Sequence, residues 1–269
     1  MRRGLAFSLA ALAVALCSAS CGSAKHELAP SPRVANFALR SKLMGRTLYE
    51  ELVTPAGGGK GRPLLVFLHG YGASPSDTVS AAFTTALRRL DDRAPVVFLP
   101  EGDVGWWHND SDGPWGSYVL REAIPAALRR SGADPHRVAI GGISMGGFGS
   151  LDLGRKPHRF CAVGGHSPAV FFRGSPDASF AFDNAADFRR HDLIGIARHH
   201  SPYDAPVWID VGNRDHLRPA ATKLADELRA DGADGADVSF HVWPGEHTGR
   251  YWDAHFAEYL DFYTKACAA

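Results

Sequence analysis

Short apolar segments alternate along the chain with segments whose apolar residues recur at helical spacing. Apolar runs of about four to eight residues between turn residues are typical of strands, and runs that are apolar throughout predict strands covered on both faces. The segments predicted as extended are 35–40, 46–53, 63–70, 95–100, 137–142, 159–165, 206–212 and 238–244. Most of them are separated by a helical pattern, which indicates parallel pairing through helical crossovers.

Helical spacing is clearest in the first and last of these intervening segments. Apolar residues recur with this spacing at 79, 82, 83, 86, 87 and 90, and again at 252, 256, 259, 260 and 263. Further helices are predicted over 115–130, directly after Ser144, and over 219–230. The sequence therefore predicts one α/β domain with a mainly parallel central sheet and helices on both faces. The irregular region 166–206 either covers part of a site or packs two short helices against the body.

The first residues have the layout of a secretory signal peptide. Two arginines precede an apolar run over 5–16, which is followed by small residues. The run is shorter than the about 20 residues of a membrane span, so export is expected. The predicted organisation is a signal peptide over 1–21, a polar tether over 22–35 and one folded domain over 36–269.

The end of the signal peptide allows two kinds of processing. Cys21 follows small residues and precedes a glycine, which resembles the lipobox of bacterial lipoproteins, with Ser18 where a leucine is usual. Lipidation of Cys21 would anchor the protein to a membrane, whereas ordinary cleavage nearby would release it. The sequence is compatible with both outcomes.

Composition and charge limit the range of partners. The 269 residues include 29 basic and 29 acidic side chains, so the formal net charge is zero. Without a basic surplus there is no general attraction to nucleic acid or acidic lipid, and no nucleic-acid partner is expected. The sequence contains neither a phosphate-binding loop nor a dinucleotide fingerprint. A small, mostly neutral molecule is the expected partner, and the oligomeric state is left open.

The strongest local motif is Gly-Ile-Ser-Met-Gly at 142–146, between a predicted strand and a predicted helix. Small flanking residues let the strand and the helix approach closely, and the serine is then held in a sharp turn with its hydroxyl exposed. In this context, Gly-x-Ser-x-Gly is the nucleophile elbow of serine hydrolases. Ser144 is therefore predicted to be a nucleophile; the alternative is a tight turn without chemistry.

A serine nucleophile needs a base that accepts its proton and an acid that orients the base. With this elbow, the acid follows the serine along the chain and lies in a loop after a strand. Asp215 follows the strand predicted over 206–212. It is preferred to Asp210, which lies inside that strand, and to Asp204, which precedes it.

The base is expected after the acid, again in a loop that follows a strand. His247 lies in the turn after the strand predicted over 238–244 and is the predicted base. His241, inside that strand, is assigned a structural role. His216, next to the predicted acid, is assigned to a loop contact.

Acyl transfer also needs hydrogen-bond donors for the oxyanion. The backbone N–H groups of Met145, directly after the serine, and of Tyr71, after the strand predicted over 63–70, are the predicted donors. Gly70 lets this loop turn close to the substrate, and His69 is interpreted as a residue that shapes the loop.

A tryptophan-rich segment follows the strand predicted over 95–100. Trp106, Trp107 and Trp115 are at the same edge of the sheet as the predicted catalytic residues, and they are predicted to line the substrate pocket with Gly70. The alternative is that the indoles pack this loop onto the body. Asp110 and Asp112 in the same segment lack metal-ligand spacing, so no metal is predicted.

Taken together, the motifs resemble those of α/β-hydrolases, and within them the esterase group that includes esterase D and the antigen 85 mycolyltransferases. The resemblance extends over residues 48–265 and is carried by GISMGGFGSL at 142–151, WGSYVLREAIPAAL at 115–128 and PGEHTGRYW at 244–252. It implies the α/β-hydrolase fold and a carboxylic-ester hydrolase or acyltransferase. The resemblance further implies catalysis by Ser144, Asp215 and His247 without a metal or an organic cofactor.

Three function hypotheses follow. The first is an exported serine esterase, secreted or lipid-anchored at the cell envelope, that acts on small-molecule esters. The second is a cell-envelope acyltransferase, in which an alcohol replaces water, and the third is a non-catalytic binding protein on a hydrolase scaffold. A peptidase also remains open, because amides and esters are cleaved by the same groups. The sequence does not define the acyl or alcohol specificity.

Two cysteines, Cys161 and Cys267, lie inside the predicted domain. Outside the cell they could pair, but a sequence contains no distance between them. Two separate thiols, with Cys161 buried, are the expected arrangement.

Overall fold

A computed structural model of the chain describes residues 28–230 and 237–268. An eight-stranded sheet forms its centre. The strands in chain order are β1 Arg33–Arg40, β2 Thr47–Thr54, β3 Leu64–Leu68, β4 Val96–Leu99, β5 Asn109–Asp110, β6 Gly113–Pro114, β7 Val138–Ile143, β8 Ala162–His166, β9 Val207–Gly212 and β10 Val238–Trp243. The short strands β5 and β6 form a separate two-stranded ribbon.

The central sheet is mainly parallel, as the sequence predicts. Its order is β1-β2-β4-β3-β7-β8-β9-β10. All neighbours from β4 to β10 pair in parallel, whereas β2 runs antiparallel to β1 and β4. Every residue of β3, β4, β7 and β8 is buried, which explains why these strands are apolar except for His166 at the end of β8. The carboxyl ends of the parallel strands consequently share one edge of the sheet.

Helices cover both faces of the sheet. They are α1 Ala81–Leu90, α2 Trp115–Tyr118, α3 Ile124–Ser131, α4 Met145–Gly154, α5 Ala185–His191, α6 Leu193–Ala197, α7 Arg218–Ala230 and α8 Gly249–Ala266. Apolar residues of α1 and α8 belong to the core on one face, and those of α3, α4 and α7 belong to the core on the other. The predicted α/β architecture with helices on both faces is therefore confirmed.

The helix predicted over 115–130 forms with one interruption. A π turn at Val119–Ala123 separates α2 from α3. Pro125 follows this turn, and proline lacks the N–H that would bond to the carbonyl one helical turn earlier. The periodicity of apolar residues therefore predicted the helix correctly, but it did not reveal the wider turn.

The sheet begins before the end of the predicted tether. Arg33 already pairs with Thr54 in the antiparallel β1–β2 ladder, so residues 33–35 are part of the fold. The predicted signal peptide with Cys21, and the tether up to residue 27, lie outside the described residues. Among the described residues, no helix combines the length and the apolar character needed to cross a bilayer.

Cys161 and Cys267 form a disulfide bond, which corrects the expectation of two separate thiols. Cys161 directly precedes β8, and Cys267 directly follows α8. Because α8 packs along the face of the sheet, its last turn reaches the start of β8, and the two Cα atoms lie 5.3 Å apart. This proximity arises from helix packing and cannot be recognised from cysteine spacing.

Replacing both cysteines by serine is expected to lower the free energy of unfolding by about 2–4 kcal/mol. The bond closes a loop with a sequence separation of 106, and a cross-link over such a distance restricts the unfolded chain strongly. Urea unfolding of the two proteins measures the difference. The wild-type midpoint should fall when a reductant is added, while that of the double variant should not move. A wild-type midpoint that is insensitive to reduction would contradict the bond.

Candidate active site

Ser144 occupies the sharp turn between β7 and α4. Its backbone has φ +57° and ψ −115°, a region that non-glycine residues adopt at an energetic cost and mostly at functional sites. A Cβ atom on Gly142 would lie 2.4 Å from the carbonyl oxygen of Gly146, and one on Gly146 would lie 2.1 Å from that of Leu68. Only glycine fits at these two positions, so the motif produces the turn that the sequence predicts.

The predicted nucleophile, base and acid come together at the carboxyl edge of the sheet. Ser144 Oγ lies 2.9 Å from His247 Nε2, and His247 Nδ1 lies 2.9 Å from Asp215 Oδ2. Asp215 stands in the loop after β9, and His247 in the turn between β10 and α8. Three residues that are distant in sequence therefore form one hydrogen-bonded line.

The protonation pattern of this line follows from its partners. Burial raises the pKa of the Asp215 carboxyl, but hydrogen bonds from His247 and from the Leu217 N–H outweigh burial and hold the pKa below its usual value. An ionised carboxylate can only accept hydrogen bonds, so His247 donates its Nδ1–H to Asp215. Nε2 is then left with a free lone pair facing the hydroxyl of Ser144, which is the arrangement a general base requires.

Asp210, the competitor for the acid position, belongs to a different network. It is completely buried and faces His166 Nδ1 at 2.6 Å. Trp208 donates to the same carboxylate at 2.9 Å, and Tyr251 and Tyr259 donate to it at 2.8 Å each. Asp210 thus ties β8, β9 and α8 together beneath the site. A carboxylate inside a strand faces the layer packed on that strand, whereas one after the strand end can turn towards the loops.

The backbone groups predicted as oxyanion donors lie on opposite sides of Ser144. Met145 is the first residue of α4, so its N–H belongs to the unpaired, electropositive end of a helix. On the other side, a Cβ on Gly70 would approach the Ser144 Cβ to 3.4 Å, which shows how closely the loop after β3 passes. Gly70 and Tyr71 both line the cavity next to Ser144.

His69 orients the Gly70–Tyr71 peptide group. Its Nδ1–H donates to the Gly70 carbonyl at 2.8 Å, and its Nε2 accepts the Gly102 N–H at 3.1 Å. Because the C=O and N–H of a trans peptide point in opposite directions, holding the Gly70 carbonyl also determines the direction of the Tyr71 N–H. His69 is 3% exposed, in line with the loop-shaping role expected from the sequence.

A cavity of about 360 Å³ opens beside Ser144. The loop after β3 forms one side, and the first turns of α8 form the other. Apolar surface predominates, and two carboxylates stand at the rim. The lining includes Tyr71, Asp77, Ile143, Trp252, Asp253 and Phe256. An apolar cleft with a few polar groups next to the serine is suited to a small organic ligand.

The three tryptophans predicted to line this pocket lie elsewhere, which corrects the expectation. Trp107 and Trp115 are 0% and 1% exposed and belong to the core. A Cβ on Gly149 would come within 2.4 Å of the Trp107 Cβ, so that glycine makes the room that the indole occupies. Trp106 packs its ring against Phe148 and Phe171. The alternative from the sequence, packing of the loop onto the body, describes these indoles.

Trp252 is the tryptophan that borders the site, and sequence reasoning assigned it to the core face of the last helix. Its ring meets that of His247 edge to face, with 5.1 Å between the centroids. The sequence feature that could have indicated a place at the site is its position in the Pro-Gly-Glu-His-Thr-Gly-Arg-Tyr-Trp segment, five residues after the predicted base. Trp252 therefore packs both against the core, as expected, and on the ring of His247 at the site.

Glu50 supports the loop after β4 that also contacts His69. It is buried in β2 and accepts hydrogen bonds from the Tyr118 hydroxyl and, at 2.9 Å, from the Glu101 N–H. Burial raises the pKa of Glu50 to about 7, although the bonds from Tyr118 and Glu101 lower it. Glu50 therefore has a higher pKa in the folded protein than the 4.5 of a free glutamate.

This shift predicts a pH dependence of stability that Glu50→Gln should reduce. A carboxyl with a raised folded-state pKa contributes its full stability below pH 4.5, and the contribution is lost as the pH rises through about 7. Between these pH values, the free energy of unfolding should fall by about 3 kcal/mol more in the wild type than in the variant. Urea unfolding at a series of pH values measures both slopes. Parallel slopes would contradict the raised pKa.

Fold and site together define a serine hydrolase of the α/β-hydrolase class: a mainly parallel sheet carries a serine at its strand–helix turn, beside a histidine and an aspartate. The model of the esterase family, described as "Putative esterase", matches residues 41–263. The chain belongs to this family, and it is an enzyme that acts on ester bonds. This confirms the resemblance to the esterase D and antigen 85 group.

Solved structures with the same fold cover nearly the whole domain. A ferulic acid esterase has a TM-score of 0.76 at 18% identity, covering 88% of this chain and 99% of the other. An S-formylglutathione hydrolase from Agrobacterium tumefaciens has a TM-score of 0.73 at 18% identity, with 88% and 96% covered. MPT51 (FbpC1) from Mycobacterium tuberculosis has a TM-score of 0.70 at 16% identity, with 87% and 99% covered. At these identities the similarity concerns the fold.

A curated relative matches a smaller part of a longer protein. The acylamino-acid-releasing enzyme of Arabidopsis thaliana is 24% identical over 215 residues, which is 70% of this chain. The match spans 28% of the length of that protein.

Proposed function

We propose that the protein is an exported serine esterase that hydrolyses carboxylic esters through an acyl-enzyme on Ser144. One observation carries the proposal: Ser144, His247 and Asp215 form a continuous hydrogen-bonded line with 2.9 Å at each step. The strained turn at Ser144 and the adjacent cavity support it, because the hydroxyl is presented to a ligand-sized space.

In the acylation step, Ser144 Oγ attacks the ester carbonyl carbon while its proton passes to His247 Nε2. The carbonyl oxygen becomes an oxyanion, and the N–H groups of Met145 and Tyr71 donate hydrogen bonds to it. When the intermediate collapses, the bond to the alcohol oxygen breaks, and the imidazolium returns the proton to this oxygen. Asp215 holds the imidazole in orientation and stabilises its charged form.

In the deacylation step, water takes the place of the departed alcohol. The water oxygen attacks the acyl carbon while His247 Nε2 accepts one proton of the water. The bond to Ser144 then breaks, and the proton passes from the imidazolium to the serine oxygen. The carboxylic acid leaves, and the three side chains return to their starting protonation states.

Two measurements test this function. A panel of p-nitrophenyl esters graded by acyl length, together with feruloyl and acetyl-sugar esters, should contain substrates, and the preferred ester defines the specificity. A fluorophosphonate should form one covalent adduct, which peptide mass spectrometry should locate on Ser144. The absence of both hydrolysis and labelling would contradict the proposal and favour a binding protein on a hydrolase scaffold.

An acyltransferase is the second candidate, and the cavity supports it. Asp77 and Asp253 stand at the rim of the space beside Ser144, and carboxylates can accept hydrogen bonds from the hydroxyl groups of an acceptor alcohol. The acyl-enzyme would then be resolved by that alcohol. Product analysis with added glycerol or a sugar separates the two functions, because an acylated acceptor is the main product only of a transferase.

Export is part of the proposal and rests on two supports. Residues 1–21 have the composition of a signal peptide, and the Cys161–Cys267 bond suits an oxidising compartment outside the cytosol. Mass spectrometry of the mature N-terminus tests both cleavage and lipid attachment at Cys21. An intact N-terminus on the protein from its own cells would contradict export by this route.

A further inference from the structure

Two histidines and an aspartate meet away from the catalytic line, between the loop after β4 and the insert that joins β8 to β9. His108 belongs to the loop, whereas Asp187 and His191 lie on α5. One ligand atom from each of the three lies within 4.8 Å of the others. Asp187 is fully buried, His108 is 1% exposed, and the His191 side chain is 15% exposed. Three side chains that commonly bind metal ions are therefore gathered in one place that is shielded from solvent.

His108 is oriented by a backbone carbonyl. Its Nε2 lies 2.7 Å from the Ala181 oxygen, and because a carbonyl only accepts, Nε2 carries the proton. The Nδ1 atom of the neutral ring is then a bare lone pair. It is buried and has no hydrogen-bond partner among the described residues. Phe148 and Phe182 pack against this ring and hold it in place.

His191 is oriented in a comparable way by a carboxylate. Its Nδ1 lies 3.0 Å from Asp152 Oδ2, and Arg155 forms an ion pair with the same carboxylate. Nδ1 therefore donates to Asp152, and Nε2 is turned towards Asp187 Oδ1 at 3.8 Å. Histidines that ligate metals typically donate their other ring N–H to a carboxylate or a backbone carbonyl. His108 and His191 show both forms of this arrangement.

The guanidinium of Arg190 would compete with a metal ion for Asp187, and this arginine is exposed. Arg190 contacts Asp187 Oδ1 at 2.8 Å, but its side chain is 62% exposed. It can therefore turn into solvent, and a bound metal ion would then neutralise the buried Asp187 carboxylate in its place. An open cavity of about 390 Å³, lined in part by His108, Arg190 and His191, adjoins the group. This cavity offers an entry path and space for a water ligand.

We propose that His108 Nδ1, His191 Nε2 and Asp187 bind one divalent transition-metal ion, with Zn²⁺ as the best fit. Two imidazoles and one carboxylate suit zinc, which prefers four ligands, and water completes the set. The ion ties α5 to the loop after β4. Its role is to fix the insert beside the indole of Trp106. The sequence did not suggest the site, because the ligands come from two segments with no motif spacing.

The test uses the protein without a polyhistidine tag, stripped with EDTA and dialysed. After addition of ZnCl₂ and gel filtration, elemental analysis should find one zinc per chain, and the unfolding temperature should rise with Zn²⁺ concentration. Co²⁺ in place of zinc should show the intense visible bands of a four-coordinate ion. The Co²⁺ measurement needs no variant, so it still tests four-coordinate binding if a substitution prevents folding, and its repetition in His216→Gln excludes the second candidate group.

Two variants and one control locate the ion. His191→Gln and Asp187→Asn should weaken Zn²⁺ binding by at least about 100-fold, since even the loss of an outer partner costs 10- to 100-fold. His216→Gln should bind like the wild type; it removes the other candidate group, formed by Asp215, His216 and His247. Failure of the wild type to retain zinc, or loss of binding in His216→Gln but not in His191→Gln, would overturn the proposal.

Discussion

Replacing Ser144 by alanine is expected to lower kcat for ester hydrolysis by about 10⁶-fold, the loss typical of removing a serine nucleophile. The hydroxyl oxygen forms the acyl-enzyme, and no other group takes its place when it is removed. The free energy of unfolding should change little, because the Ser144 turn depends on backbone bonds such as Ser144 N–H to the His166 carbonyl at 2.9 Å. Initial rates with the best ester of the panel, together with fluorophosphonate labelling, measure the loss.

The matched control for this variant is Ser179→Ala. Ser179 is exposed, and its hydroxyl bonds only to the nearby Pro176 carbonyl among the described residues. Its replacement should leave both hydrolysis and labelling at the wild-type level. Hydrolysis that persists in Ser144→Ala, once contaminating esterases are removed, would defeat the assignment of the nucleophile.

Asp215→Asn is expected to impair mainly catalysis, whereas Asp210→Asn is expected to impair mainly stability. Asparagine at 215 should lower kcat by about 10⁴-fold, because His247 loses the carboxylate that orients and stabilises its charged form. Its effect on stability should be smaller than that of the change at 210, since fewer donors surround the Asp215 carboxylate, chiefly His247 and the Leu217 N–H. Asparagine at 210 should instead lower the free energy of unfolding by about 3–5 kcal/mol, the usual cost of breaking a buried pair.

The physical reason for the second effect is the number of donors around Asp210. His166, Trp208, Tyr251 and Tyr259 all face its two oxygens. An asparagine presents an NH₂ group in place of one oxygen, so at least one buried donor loses its acceptor. Kinetics and urea unfolding of both variants test the separation. If Asp210→Asn lost as much kcat as Asp215→Asn while remaining stably folded, the assignment of the acid would be wrong.

The fold was predictable because its strands have distinctive sequences. A strand such as β3, with every residue buried, must be apolar throughout, and a helix such as α1 must repeat its apolar residues at helical spacing to cover it. The interruption at Val119–Ala123 was missed because the apolar pattern continues on either side of it, although Pro125 marks a disturbed helix there. The start of β1 at Arg33 was missed because its exposed residues resemble a tether.

The candidate site was predictable in its reactive groups and not in its walls. The Gly-Ile-Ser-Met-Gly motif encodes a local backbone turn, and the strand ends before Asp215 and His247 place both residues at one sheet edge. Which side chains form the walls of the cavity depends on the direction in which each side chain leaves its loop. Trp107 enters the space left by Gly149, and Trp252 turns towards His247; neither choice has a local sequence signal.

Sequence by itself determined the layer architecture, the elbow at Ser144 and the order of the groups that follow it, because all of these depend on local periodicity and backbone sterics. Only the tertiary structure decided that Cys161 meets Cys267, that Asp210 pairs with His166 instead of His247, and that His108 faces His191. These pairings depend on distances between segments far apart in the chain. Such distances are set when helices and loops pack on the sheet, and no local pattern of residues records them.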